Sequence, residues 1–166
     1  MKYLILGGRS YLGRSFTEFL KKNKHQVITL NEANSSNYSK NVLKEILKKE
    51  NPEKIVDFKF PIVSSNDEDF NNINLDEIIS TQKRLIEALD QSPDNTSDLY
   101  LISTLNINKR KNIYKKYKKK QEDYYKTKLP VKNKLKILRL ENVLGQGDIN
   151  TNRLVPYFFS KVFANK

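Results

Sequence analysis

Tyr114 and Lys118, in the run NIYKKYKKKQED, set a phenol and an ammonium four residues apart. On a helix that spacing stacks the two side chains on one face. A neighbouring ammonium favours tyrosinate and draws the phenol below its ordinary pKa of about 10. The pair therefore has the chemistry for proton exchange near neutral pH. The same residues have a plainer explanation. Residues 109–120 hold two tyrosines among many lysines, so such a pair arises easily on a solvated basic helix. The surrounding elements decide between the two.

A second feature lies at the start of the chain. Only 5 glycines occur in 166 residues, yet Gly7, Gly8 and Gly13 all fall within ILGGRSYLG. An apolar run of strand length, KYLILG, precedes them. A segment with Leu12, Phe16, Phe19 and Leu20 at helical spacing follows. A glycine turn in this position lets the backbone approach a pyrophosphate, while the helix N-terminus supplies oriented N–H donors and partial positive charge. Glycines also end strands for structural reasons alone. It is the strand-turn-helix setting that strengthens the phosphate reading.

The same alternation continues down the chain. HQVITLN reads as a second strand, and SKNVLKEILKKEN as a helix with Val42, Leu43, Ile46 and Leu47 on one face, ended by Pro52. KIVDFKF is a third strand. After a polar loop, LDEIISTQKRLIEALDQ is a helix with Ile78, Ile79, Leu85, Ile86 and Leu89 inward. DLYLIST is a fourth strand, a lysine-rich helix covers about 113–129, LKILRLENVLG is a fifth strand, and NRLVPYFFSKVF reads as a last helix. Several strands are continuously apolar, which argues for a parallel sheet covered on both faces. With no internal repeat and no linker, residues 1–166 read as a single domain.

Composition narrows the field further. The chain has no cysteine and one histidine, His25, so thiolate metal sites and disulfides are excluded and His25 reads as structural. Asp67, Glu68 and Asp69 lack the glycine and downstream glutamate of a calcium loop. No apolar run reaches the ~20 residues of a membrane span, and the N-terminus does not read as a signal peptide; a soluble, cytoplasmic protein is expected. The net charge of +12 fits either a nucleic-acid partner or a lysine-favouring codon bias. The abundance of Asn and Ile supports the second. In the basic helix, Tyr117, Tyr124 and Tyr125 are expected to pack against neighbours.

On these elements the chain resembles the extended short-chain dehydrogenase/reductase family of nucleotide-sugar epimerases, dehydratases and reductases. That family opens on T-G-x-x-G-F-I-G and then H-x-V. Here the run is Leu6-Gly7-Gly8-Arg9-Ser10-Tyr11-Leu12-Gly13, then His25-Gln26-Val27, with Ser10 in place of the middle glycine. NPEKIVDFKF stands for K-P-D-V-V-I-H-L-A-A, KRLIEAL for L-L-E-A, and LYLIST for the strand ending in the catalytic Ser or Thr. Tyr114, Lys118 and Glu122 match Y-x-x-x-K-x-x-x-E, and LRLENVLGQG matches L-R-P-x-N-V-Y-G-P-G.

The resemblance implies a Rossmann-type doubly wound α/β sheet that binds NAD or NADP. The cofactor would lie on Gly7, Gly8, Arg9, Ser10, Tyr11, Leu12 and Gly13, on Asn31 and Glu32 at the adenosine ribose, and on Phe58, Lys59 and Lys118. Thr104, Tyr114 and Lys118 would be catalytic toward a nucleotide sugar, and the helices at 76–91 and 113–129 would pair two subunits, although lysine enrichment opposes that pairing. The sequence departs from the family at several points. Nine residues separate Thr104 from Tyr114, where the family has a longer loop. Asn31 stands at the usual Asp, with Glu32 adjacent, leaving NAD against NADP open. Phe58-Lys59-Phe60 replaces small alanines, so the rings are expected to crowd the crevice or Lys59 to meet a phosphate. The chain also ends where family members continue into a sugar-binding lobe, as a truncated piece, a shortened gene product or a minimal relative would. A non-catalytic cofactor-binding module and a basic nucleic-acid-binding protein remain alternatives.

Overall fold

A computed structural model describes residues 1–30, 38–59, 79–105, 113–141, 143 and 161, with Ile113 and Tyr114 described in their backbone alone. Five strands and four helices alternate: β1 (Lys2–Leu6), α1 (Tyr11–Lys22), β2 (Gln26–Leu30), α2 (Lys40–Glu50), β3 (Lys54–Asp57), α3 (Ser80–Asp90), β4 (Asp98–Thr104), α4 (Ile113–Lys128) and β5 (Leu135–Leu140). Every strand pair is parallel, in the order β2-β1-β3-β4-β5. The chain moves outward from β1 to β2, then returns to β3 on the other side. The topological switch point, where an open α/β sheet forms its ligand crevice, therefore lies between β1 and β3.

The helix boundaries follow from local chemistry. Ser10 and Ser39 cap α1 and α2, their hydroxyls accepting from the amides of Gly13 and Val42. Asn51 closes α2 in the left-handed region at φ 39° just before Pro52. Pro130 follows α4.

The larger core lies on the face covered by α2, α3 and α4, with Leu4, Leu6, Ile55, Leu99 and Leu101 of the strands meeting Leu43, Leu47, Leu85, Leu89 and Tyr125. Ile79, Leu85, Ile86 and Leu89 are buried as the pattern requires, and so are Tyr117 and Tyr125. Ile78, the end of the fifth predicted strand beyond residue 143, and the predicted last helix lie outside the described residues.

On the opposite face α1 packs over Ile5 and Val56. Its docking differs from the sequence pattern in one respect. Leu20 is buried, but Phe19 is exposed and stacks on Phe16 with centroids 6.5 Å apart. The residues buried on this helix are Gly13, Thr17 and Leu20. Two small residues therefore face the sheet and let the helix sit close, which turns it so that Phe19 points outward. Beside α1, an apolar groove of about 510 Å³ runs over Tyr100, Ile102 and Leu138. Among the described residues no helix is long and apolar enough to cross a membrane, and no acidic or histidine cluster could hold a metal.

Candidate functional site

The glycine turn has the expected backbone requirements. Gly7 sits at φ +75°, where L side chains are strained, and a Cβ there would lie 2.9 Å from the Lys59 amide nitrogen. A Cβ on Gly13 would lie 2.3 Å from the Gly7 carbonyl oxygen. The first glycine thus serves the tight turn, and the last serves the close approach of helix to strand. Ser10, at the middle position, has φ −60° and ψ 156°, ordinary extended backbone, so the conformation does not demand glycine there. Its hydroxyl caps the Gly13 amide at 3.0 Å. The earlier amides of the first turn, those of Tyr11 and Leu12, precede any intrahelical acceptor, and no acidic residue stands in that turn. The cradle fits a dinucleotide diphosphate. Behind it, Tyr38 braces the strand ends: its hydroxyl accepts from the Gly7 amide at 3.1 Å and donates to the Leu30 carbonyl at 2.8 Å.

Across the switch point, the end of β3 touches both the glycine turn and α4. The Phe58 amide donates to the Leu6 carbonyl at 2.9 Å. Phe58 turns its ring under α1, 5.6 Å from Phe16, and joins the core there. The ring packs away instead of filling the crevice. Lys59 extends its ammonium over the Tyr38 ring, 4.2 Å from the centroid, and hydrogen-bonds Thr81.

Lys118 reaches the same place from α4. The residue is 3% exposed, and its ammonium donates to the Ile102 carbonyl at 2.8 Å, Gln121 Oε1 at 3.1 Å and the Lys59 carbonyl at 3.5 Å. Burial pushes its pKa down to about 8, against the pull of Asp57 and Glu122. Asp57, fully buried at the last position of β3, gathers four donors. Its Oδ2 accepts from Gln82 Nε2 at 3.1 Å, Gln121 Nε2 at 2.9 Å and the Tyr125 hydroxyl at 2.8 Å, and its Oδ1 from the Lys59 amide at 2.8 Å. Burial, then the Asp57 charge, hold the Tyr125 phenol well above its usual pKa, so it stays a donor. Tyr117 donates to the Lys59 carbonyl at 3.3 Å.

Glu122, also 1% exposed, ties α4 to the sheet edge. Arg139 grips it with two bonds, at 3.0 and 2.7 Å, while Ser103 donates at 2.6 Å and Lys126 at 3.3 Å. Burial alone would raise its pKa, but the bonds from Arg139, Ser103 and Lys126 outweigh that and hold the carboxyl near 2.

Of the residues singled out from sequence, the structure brings together Gly7, Gly13, Lys59 and Lys118, with Ser10, Tyr11 and Leu12 at the start of α1. Thr104 ends β4, nearly buried, its Cα paired with Leu140. Tyr114 stands in the first turn of α4, its side chain outside the described residues; Asn31, Glu32 and Phe60 lie wholly outside them. Asp57, Gln82, Gln121 and Tyr38 were not anticipated. Only Asp57 carried a signal, as a lone carboxylate ending an apolar strand.

No family model matches the chain, and no curated protein does. Solved structures do match it along its length. It is similar to the UDP-N-acetylglucosamine 4-epimerase of Bacillus cereus, at 19% identity and TM-score 0.74, covering 100% of this chain and 62% of that one. It is similar to the Bordetella bronchiseptica enzyme WbmH in complex with NAD+, at 14% identity and TM-score 0.73, covering 99% and 63%. It is similar also to the dTDP-4-dehydrorhamnose reductase of Bacillus anthracis in complex with NADP, at 15% identity and TM-score 0.72, covering 99% and 60%. The chain thus spans about three fifths of the length of these enzymes. The five parallel strands, the glycine turn at the switch point and this likeness together make the fold a Rossmann-type α/β fold, shared with nucleotide-sugar enzymes.

Proposed function

We propose that this chain binds NAD or NADP at the β1–β3 switch point and serves a nucleotide-sugar epimerase, dehydratase or reductase reaction. One observation carries the reading. The close-packed glycine turn and the buried Lys118 ammonium meet the two sides of one short segment, Phe58-Lys59, at the crevice where the sheet reverses direction. That is where a dinucleotide would span from diphosphate to nicotinamide ribose.

When bound, the nicotinamide supplies hydride chemistry. The chain's own residues do the rest. The first-turn amides of α1 hold the diphosphate. Lys118 turns toward a ribose hydroxyl and, one helical turn from Tyr114, favours the tyrosinate. Tyr114 exchanges a proton with the sugar oxygen, and Thr104 hydrogen-bonds that same oxygen.

A second reading, a cofactor-binding module without turnover, draws support from the engagement of Lys118 with three acceptors inside the protein. Titration with NADH and NADPH by fluorescence separates the two. The proposal expects binding by the parent, loss of binding in Gly13→Asp, and retained binding with turnover of nucleotide sugars reduced about 10²- to 10⁴-fold in Tyr114→Phe. Binding without turnover on any nucleotide sugar favours the module. No binding of either coenzyme by the parent overturns both.

A further inference from the structure

We propose that Asp57 is a positioning residue for Lys118: acting through the Gln121 carboxamide, it fixes the ammonium at the ends of β3 and β4. The inference rests on the cofactor reading for its purpose, but not for its geometry. A carboxamide has one donating and one accepting end. Gln121 gives its Nε2 to Asp57 at 2.9 Å and its Oε1 to Lys118 at 3.1 Å. The carboxylate fixes which way the amide points, and the amide fixes where the ammonium sits.

The other three donors to Asp57 serve the same end. Tyr125 and Gln82 approach from α4 and α3, and the Lys59 amide from the chain beyond β3. The carboxylate therefore cannot turn to take Lys118 directly, and the cation is left one group away. There its remaining donors meet the carbonyls of Ile102 and Lys59. Gln82 contributes in turn through Tyr117, whose hydroxyl accepts its Nε2 at 3.4 Å and lies on the same Lys59 carbonyl.

Among the described residues, the charged and titratable groups around Lys118 are Asp57 and Lys59 at the end of β3, and Tyr117, Glu122 and Tyr125 on α4. Glu122 is neutralised by Arg139 and Lys126, whereas Asp57 has no cation bonded to its side chain. Asp57 is thus the larger of the two charges, ahead of Glu122, that favour the Lys118 ammonium against its burial.

The test reads Lys118 itself. Protein labelled with ¹⁵N-lysine is titrated by NMR, the Lys118 signal being assigned by its absence in Lys118→Arg. The parent midpoint is expected near 8. Asp57→Asn should lower it by about one unit or more. Gln121→Met, which removes the accepting oxygen and leaves Asp57 in place, should lower it by less, and Gln121→Glu should raise it. A purely structural role predicts an unmoved Lys118 midpoint in every variant that folds. That result overturns the proposal, and Gln121→Met carries the test if Asp57→Asn does not fold. In parallel, NADH titration should show the pH above which binding falls away moving down with the Lys118 midpoint. If the parent binds neither NADH nor NADPH, the cofactor reading fails while the NMR still decides whether Asp57 positions Lys118.

Discussion

Asp57, contacted from α4, and Glu122, carried on α4, are two carboxylates with almost no exposed surface, yet they are satisfied in opposite ways. Glu122 is held by cations: a two-bond grip from Arg139 and a contact from Lys126, helped by Ser103. Its charge is cancelled at the sheet edge, and its pKa near 2 keeps it fixed in that state across the physiological range. Asp57 is held at the crevice by neutral donors, and the Lys118 ammonium is joined to it through the Gln121 carboxamide and the Lys59 backbone. The first arrangement is a strut. The second leaves a negative charge free to act on a lysine whose own proton equilibrium, near 8, lies within reach of neutral pH. Groups poised in this way concentrate at working sites.

The contrast is testable by breaking each side. Asp57→Leu is expected to cost the most, about 3–5 kcal/mol in chemical denaturation, because Gln82, Gln121 and Tyr125 lose a shared acceptor and buried Lys118 loses the larger of its two counter-charges. A loss no larger than that of a surface substitution would mean the network carries no charge balance. The alkaline limb comes next. Lys118 binds its proton less tightly folded than unfolded, so between about pH 8 and 10.5 the unfolded state holds more protons and stability rises with pH, by about 3 kcal/mol at most. Thermal melts of the parent and Lys118→Met over that window should show this rise only in the parent.

The strut side should yield less. Glu122→Gln is expected to cost about 1–3 kcal/mol, since Arg139, with 43% of its side chain exposed, turns to water. Its pH signature has the same sign but lies at the acid end. A carboxyl lowered from 4.5 to about 2 contributes stability that is present above the upper value and lost as pH falls toward the lower. Urea midpoints between pH 5 and 2 should therefore fall more steeply in the parent than in Glu122→Gln. Smallest of all, Arg139→Lys should cost about 1 kcal/mol or less, as a two-bond grip becomes a single partly exposed contact. Equal losses for Asp57→Leu and Arg139→Lys would erase the distinction between the two regions.

Of the strut, Glu122 and its place one turn from Lys118 were legible in the sequence, but its partners Arg139, Lys126 and Ser103 were not, and little of the crevice network was. The spacing Tyr114, Lys118, Glu122 put Lys118 and Glu122 one turn apart on one helix, and both are buried on the sheet side of α4. Gln82 and Gln121 gave no such sign, because an amide in a helix reads as solvated surface unless its distant acceptor is known. The Phe58 ring was expected to crowd the crevice, and it packs under α1 instead. Adjacent residues past a strand end can point to opposite faces, a choice set by which face has room. Phe19 went the other way, from an apolar position on the helix pattern to an exposed one. The rotation of α1 depends on Gly13 and Thr17 lying against the sheet, and hydrophobic periodicity is blind to small residues used for close approach.

By itself the sequence determined the alternation of apolar strands and amphipathic helices, the glycine turn after β1 and the caps at Ser10 and Ser39, because these depend on residues within a few positions of one another. The strand order, the turn of Phe58 and Phe19 to their faces, and the meeting of Asp57, Gln82, Gln121 and Lys118 were decided only by the tertiary structure. They join residues as many as 64 positions apart, and what fixes them is that a buried charge and buried amides must find partners once the sheet and helices have closed around them.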